Sequence, residues 1–401
     1  MDAHKIKTKD SIEPNERVGH APKILIVAGE ASGDLHGANL LKALHAIDPA
    51  IRFYGVGGKK MTEAGMERIA DSADMAVVGF TEVISKLRYI MDIRAQLKSF
   101  IKKEKPDLLV TIDYPDFNIP LAKAAKKLGV KVFYYISPQV WAWRRGRVKT
   151  IARIVDAMGV ILPFEEQIYQ AANMNVQFVG HPLLDAVQTN YSQKEAQEKF
   201  NLEKNRITIG LLPGSRKSEV AVLLPEMLKA SQILKERLQN SQFIMPLADS
   251  LPETWVEKIL GLYNGDVTLI KNNIYDVINV SDLVIVASGT ATLETALLEK
   301  PMIIVYKVSR LSYYIGRTFI KIANIGLVNI IAGKTVVPEL IQDRANGRQI
   351  AAEATDILTR ADRMADIKSA LKEIKSKLGT PGASTRAARL AYDVMKGRET
   401  E

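Results

Sequence analysis

The chain has 401 residues, 47% of them hydrophobic and 25% charged, with a formal net charge of +10 and no cysteine. That length supports two α/β domains with full cores, and the missing cysteines exclude disulfides, thiolate metal sites and a Cys nucleophile and fit a reducing compartment. No apolar run approaches the roughly 20 residues of a membrane span. The basic balance favours anionic partners, without any zinc-finger spacing, RNA-recognition signature or long basic helix to point to nucleic acid.

Residues 1–22 are polar and lack an apolar h-region, so they are no secretory signal and read as a disordered leader. An apolar strand over 23–28 then runs into Gly29-Glu30-Ala31-Ser32-Gly33-Asp34-Leu35-His36-Gly37. This Gly-rich strand-to-helix turn is neither a dinucleotide fingerprint nor a Walker A loop. Capping by Ser32 or Asp34 accounts for one polar residue but not for three glycines. Ser32, Gly33 and Asp34 are therefore candidates for a cleft, and a helical pattern follows over 34–47.

A second strand is expected over 51–56. The stretch 77–90 is unusually apolar for a loop-to-helix region and offers Val77, Val78, Phe80, Val83, Ile84 and Leu87 as membrane contacts; core packing or a dimer interface explains it equally. The strand expected over 107–112 leads into Asp113-Tyr114-Pro115-Asp116-Phe117-Asn118. Carboxylates at the carboxyl end of a parallel strand lie at the mouth of an α/β cleft, where one can act as general base on a hydroxyl. Helix capping by Asp116 is the plain alternative.

After a helix over 119–128 and a strand over 130–136 comes Ser137-Pro138-Gln139-Val140-Trp141-Ala142-Trp143-Arg144-Arg145-Gly146-Arg147, which holds two of the chain's three tryptophans. Gln139, Trp141 and Arg144 are candidates to hold a sugar or phosphate; buried Trp beside solvated Arg is the alternative. A strand over 157–162 and Val179-Gly180-His181-Pro182 close the first half. His181 before proline is extended and reads as a hinge residue facing the cleft or as a structural histidine.

The polar stretch 189–205 is expected to be a linker between domains 23–188 and 206–380. The strand over 207–212 then meets Pro213-Gly214-Ser215-Arg216, with a helix from about 218 to 237. Strand, Gly turn and helix start aim free N–H groups and a helix dipole at one point, and Ser215 and Arg216 add a hydroxyl and a fixed charge for phosphate oxygens. Strands follow over 242–246, 267–270, 283–287 and 302–306. The fourth strand of this half, 283–287, ends in Ser288-Gly289-Thr290-Ala291-Thr292-Leu293-Glu294, a second anion turn whose Glu294 is placed to accept both hydroxyls of a ribose; ordinary helix capping by Ser288 or Thr290 is the plain alternative. The segment 306–325 interleaves basic and aromatic residues, as interfacial helices do; core packing or a dimer interface explains it equally. The end, 381–401, reads as an amphipathic helix packing on either domain. Alternating strands and helices imply parallel sheets and two Rossmann-like domains facing each other. No D-x-D, H-x-H or H-E-x-x-H occurs, so no metal site is expected.

Taken together, GEASGDLHG, DYPDFN, SPQVWAWR, FVGHP, LLPGSR, SGTATLE and VVPELIQ resemble the lipid-A-disaccharide synthase family of bacterial glycosyltransferases, from about residue 23 to the C-terminus. The resemblance implies a GT-B fold, with the donor in the C-terminal domain and the acceptor in the N-terminal one. It implies an inverting, metal-independent transfer of 2,3-diacylglucosamine from its UDP donor to 2,3-diacylglucosamine 1-phosphate, giving the β-1,6 disaccharide and UDP. Inversion requires a base for the attacking 6-hydroxyl, for which Asp116 is the first candidate and Asp113 the second. Gly214, Ser215, Arg216, Ser288, Gly289 and Thr290 would meet the diphosphate and Glu294 the ribose, with Asn329, Glu339 and Gln342 near the donor. The resemblance further implies no cofactor, a cytoplasmic monomer or homodimer, and peripheral contact with the inner face of the membrane through 77–90. A UDP-sugar 2-epimerase on the same fold, and a non-catalytic UDP-sugar or anionic-lipid binding module in which Asp113 and Asp116 are dispensable, are the alternatives.

Overall fold

The computed structural model describes residues 21–75, 80–140, 146–308 and 324–398, with residues 31 and 80–87 as backbone only. Two parallel sheets form its frame. The first contains β1 (Lys23–Ala28), β2 (Arg52–Gly57), β3 (Met66–Asp71), β4 (Leu108–Ile112), β5 (Lys131–Tyr135), β6 (Ala157–Val160) and β7 (Val176–Phe178). The second contains β8 (Ile207–Leu212), β9 (Ser241–Leu247), β10 (Thr268–Lys271), β11 (Leu283–Ala287), β12 (Met302–Tyr306) and β13 (Glu339–Ile341). Central strands such as KILIVA and LVIVA are near-continuous runs of Ile, Leu and Val and are buried along their length. That is the pattern of strands covered by helices on both faces.

Strand order fixes where ligands bind. The first sheet runs β3-β2-β1-β4-β5-β6-β7 and the second β10-β9-β8-β11-β12-β13. In each, the chain builds outward to one side, then returns to the middle and builds to the other. The reversals lie between β1 and β4 and between β8 and β11, and both pairs are parallel neighbours. At such a switch point the flanking loops diverge above and below the sheet and leave a crevice at the carboxyl ends. The Gly29–Gly37 turn follows β1, and Asp113–Asn118 follows β4. The Pro213–Arg216 turn follows β8, and Ser288–Glu294 follows β11. All four motifs thus sit at the two reversals.

The three strands that the apolar pattern does not announce, β3, β7 and β13, are edge strands. Their sequences, MERIAD, VQF and ELI, are short or polar because one side needs no strand partner. The stretch 189–205 is not a bare linker. Helix Gln193–Lys199 starts on a capping box of Ser192 and Glu195, and Ala196, Phe200 and Leu202 pack with Ile244, Val277 and Val280. Buried Asp276 accepts hydrogen bonds from the Asn190 and Tyr191 N–H groups. The few apolar residues of this stretch are placed where they count, so its polar composition misleads.

The chain crosses between halves earlier, at Val179–Ala186, and crosses back at Leu378–Gly382. The crossings are tied side by side. His181 N–H donates to Leu378 O at 2.9 Å, and Gly382 N–H to Asp185 Oδ1 at 2.6 Å. The Arg386 guanidinium donates to the carbonyls of Val179, Pro381 and Thr380. The last helix, Ala383–Lys396, then lies on the first half. Its Ala387, Ala388, Leu390, Ala391, Val394 and Met395 share a core with Ile24, Ile26, Leu40 and Leu44.

Candidate functional site

At the first switch point the backbone is strained where chemistry is expected. Asp113 and Tyr114 both have left-handed φ, 43° and 47°, and Ile136, at the end of the neighbouring strand β5, has φ 66°. Each costs of order 1 kcal/mol or more for a non-glycine residue, most for β-branched Ile. The surroundings hold the strain in place. Asn118 Nδ2 donates to the carbonyls of Ile112 (3.2 Å) and Asp113 (2.7 Å), and the Tyr134 hydroxyl donates to Asp113 O at 2.6 Å. Gly29 admits the Tyr114 ring: a Cβ there would lie 2.5 Å from a ring carbon. The turns after β1 and β4 are therefore fitted to each other.

The result is an Asp113 carboxylate presented at the strand end. It is open to solvent on its cleft side but crowded by protein elsewhere. Burial, aided by the nearby charge of Glu30, pushes its pKa up to about 6. Asp116 differs. It lies in the first turn of helix Pro115–Lys127 with its side chain 67% accessible, and it pairs with Arg147, whose Nη2 donates to Oδ1 at 2.5 Å.

The other first-half candidates divide by location. Asp34 is buried, and its carboxylate accepts from the N–H groups of Gly58 (2.6 Å), Lys60 (3.1 Å) and Met61 (3.1 Å). It caps the short helix Lys59–Glu63 and has little capacity left for a ligand. Neither it nor Ser32 caps the helix Ala31–Ile47, whose N-cap is Glu30. Ser32 is exposed in that helix's first turn, while Gly33 is buried. Gln139 is exposed. His181 is buried at the crossing, where its Nδ1 accepts from Leu183 N–H. Burial and neighbouring His36 press its pKa down to about 3, so it is neutral. Trp141, Arg144, Val77 and Val78 lie outside the described residues, as do the side chains of Phe80, Val83, Ile84 and Leu87.

At the second switch point Gly214 has φ 108°, and a Cβ there would lie 2.6 Å from the Glu219 carboxylate. Only glycine suits this turn. Ser215 and Arg216 are exposed at the start of helix Lys217–Arg237, and Arg216 meets Glu219 at 2.8 Å. Such an exposed pair contributes about 0–1 kcal/mol and yields readily to a doubly charged ligand. Across the reversal, Gly289 begins helix Thr290–Leu297 with no side-chain cap. Ser288 and Thr290 are therefore not engaged in capping that helix, the plain alternative for this turn. Glu294 sits one turn in; burial raises its pKa, and the Tyr275 hydroxyl lies 3.4 Å from its Oε1.

Asn329, Glu339 and Gln342 are occupied by backbone. Fully buried Asn329 donates to Val337 O and Glu339 Oε1 and accepts from the N–H groups of Val336 and Val337. Glu339 accepts from Ile325 and Gly326 N–H. Gln342 bonds both the N–H and the carbonyl of Val308. The pair Glu339 and Gln342 thus fixes the chain at 308 and at 325–326, on either side of the 309–323 segment.

The halves meet along an apolar cleft of about 750 Å³, lined by Val148, Phe164 and Ile168 of the first and Ile330, Ile331 and Ala332 of the second. Among the described residues no group of three or more His, Cys, Asp or Glu side chains could hold a metal ion. Sequence reading assigned no role to Glu30, Asn118 and Tyr134, which shape the Asp113 environment. Glu30 and Asn118 stand inside the quoted motifs, whereas Tyr134 in an apolar strand reads as core.

Comparison with known proteins bears on this geometry. The family model described as lipid-A-disaccharide synthetase matches residues 24–393. A lipid-A-disaccharide synthase of Syntrophus aciditrophicus is 55% identical over 374 residues, covering 93% of this chain and 98% of the relative. One from Geobacter sulfurreducens is 48% identical, covering 93% and 97%. Among solved structures, a UDP-GlcNAc 2-epimerase from Neisseria meningitidis bound to UDP-GlcNAc superposes with a TM-score of 0.58 at 12% identity, covering 92% of this chain and 98% of the other. At that identity the likeness speaks for the fold alone, the GT-B arrangement.

Proposed function

The chain belongs to the lipid-A-disaccharide synthase family, a family of glycosyltransferases that form the lipid A disaccharide from a UDP-sugar donor and a lipid acceptor, and from that premise we propose how its residues divide the reaction. The first sheet's switch point takes the diacylglucosamine 1-phosphate acceptor, and the second sheet's takes UDP-diacylglucosamine. Asp113 is the base. It accepts the proton of the acceptor 6-hydroxyl as that oxygen attacks the anomeric carbon from the face opposite UDP. One displacement inverts the centre, and UDP leaves with the bonding electron pair.

The observation that carries this assignment is the contrast between the two carboxylates. Asp113 stands at the strand end on a backbone held in strain, with a pKa of about 6 suited to taking a proton near neutrality. Asp116 is already paired with a guanidinium. The leaving diphosphate is met by the N–H groups and hydroxyls of the 214–216 and 288–290 turns and by Arg216, released from Glu219. Glu294 accepts the ribose hydroxyls. Asn329, Glu339 and Gln342 support the donor site by fixing the backbone around it.

The apolar cleft between the halves shelters an acyl chain, each methylene removed from water contributing about 0.8 kcal/mol. Among the described residues no helix is long and apolar enough to cross a membrane. The acyl chains of both substrates call for contact with the inner membrane face, for which the 77–90 segment is the candidate. The test is UDP release from the diacylated UDP-sugar and the diacylated sugar phosphate, with the native chain and Asp113→Asn. Native-level release by the variant overturns the base assignment.

A further inference from the structure

Arg147 is a charged side chain whose bonding is incomplete. Its Nη2 is taken by Asp116 at 2.5 Å, yet its Nη1 is buried with no hydrogen-bond partner. A guanidinium nitrogen enclosed and unpaired is unfavourable unless an acceptor reaches it. The side chain as a whole is 26% accessible, so part of it already meets solvent, and an acceptor gains Nη1 by displacing the groups that cover it. Its charge acts on the buried Tyr134 hydroxyl, the group that holds the Asp113 carbonyl. Arg147 therefore stands at the same switch point as the base.

Among the described residues, the other charged groups at that switch point are acidic. Asp113, Asp116 and Glu30 gather at the ends of β1 and β4, and a phosphorylated substrate placed among them is repelled unless a cation answers it. We propose that Arg147 binds the phosphate of the acceptor through Nη1 and that Asp116 is the positioning residue which, by holding Nη2, aims the guanidinium. This rests on the reading of the first switch point as the acceptor site. On a glucosamine ring C1 and C5 both flank the ring oxygen, so the 1-phosphate and the 6-hydroxyl leave from the same side of the ring as neighbours. A base at the strand end and a guanidinium paired with the first turn of the following helix are placed to receive these two groups of one sugar together. Asp116, matched by motif to the base, then serves the neighbouring phosphate.

The test is steady-state kinetics of the full chain with two acceptors, diacylglucosamine 1-phosphate and the same sugar without phosphate. Arg147→Gln is expected to raise KM for the phosphorylated acceptor about tenfold to a hundredfold, the range of one charge-assisted hydrogen bond. Its kcat and donor KM should stay within threefold, and its kcat/KM for the unphosphorylated acceptor should be unchanged. Arg147→Lys, which keeps the charge without the fork, should fall between. Asp116→Asn retains an oxygen for Nη2 and should raise the same KM by less than Arg147→Gln does. An unchanged KM, or equal losses on both acceptors, overturns the proposal. If Arg147→Gln fails to fold, inhibition of the native chain and of Arg147→Lys by glucosamine 1-phosphate decides: it must be competitive with acceptor and weaker in the variant. Failure of the base assignment is separate, because Asp113→Asn lowers kcat on both acceptors and leaves their KM ratio alone.

Discussion

Asp113→Asn is the sharpest perturbation, because it moves activity and stability in opposite directions. The substitution keeps the side chain's shape, and the backbone there is pinned by Asn118 and Tyr134. Removing a general base lowers kcat by about a hundredfold to ten-thousandfold. In the native chain kcat/KM should fall tenfold per pH unit below about 6, where the carboxylate takes up its proton, and the residual activity of the variant should lack that limb. Stability follows from the same shift. Well below its ordinary 3.8 the carboxyl is protonated in both the folded and unfolded chain and adds nothing. Between its ordinary 3.8 and about 6 the folded chain keeps a proton that the unfolded chain has lost, so native stability falls as pH rises through that window. A fully enclosed carboxyl would lose about 3 kcal/mol. Asp113 is solvent-exposed on one side, so about 1 kcal/mol is the expected loss. The asparagine variant escapes it. Paired denaturant titrations at pH 3 and pH 8 should show equal stabilities at the lower pH and a variant more stable by about 1 kcal/mol at the higher. A variant active within tenfold of native refutes the base role, and a variant less stable at pH 8 refutes the account of the raised pKa.

Three other substitutions probe the frame. Gly29→Ala drives a methyl into the Tyr114 ring and should lower stability by about 1–3 kcal/mol, with a loss of kcat because Tyr114 follows the base; thermal melts and rates read both. Glu294→Gln keeps the shape but not the charge offered to the ribose, and calorimetry should find UDP bound about tenfold more weakly; unchanged affinity removes Glu294 from the donor site. Asn329→Ala strips four hydrogen bonds, two of them fully buried, and should destabilise by about 2–4 kcal/mol in denaturant titration; a loss under 1 kcal/mol would show that water replaces them.

What the sequence reveals depends on how many neighbours a residue has. Central strands such as Ile207–Leu212 and Leu283–Ala287 lie between two strands and two helix layers, so their whole length is apolar and their bounds are legible. Edge strands β3, β7 and β13 carry no such constraint. The four switch-point motifs are legible as strand-to-helix turns because glycine and hydroxyl residues punctuate them. What each polar side chain does there is not legible. Asp34 and Asp116 look alike in a string of letters, yet one is enclosed by three N–H groups and the other lies open beside Arg147. Those partners come from residues 24 to 31 positions away, and only the fold brings them near.

The last helix has a consequence for how the protein is made. The face of the first sheet that contains Ile24 and Ile26 is covered partly by Leu390, Ala391 and Val394, residues that leave the ribosome only after the whole second sheet. The first half is synthesised first but cannot complete its own core until helix Ala383–Lys396 arrives. During translation that apolar face waits uncovered while the second half, complete in sequence, is free to fold. The vulnerable interval thus falls on the N-terminal half. A chain that stops before residue 383 would leave this half permanently open, with the strained Asp113–Tyr114 turn resting on an unfinished core.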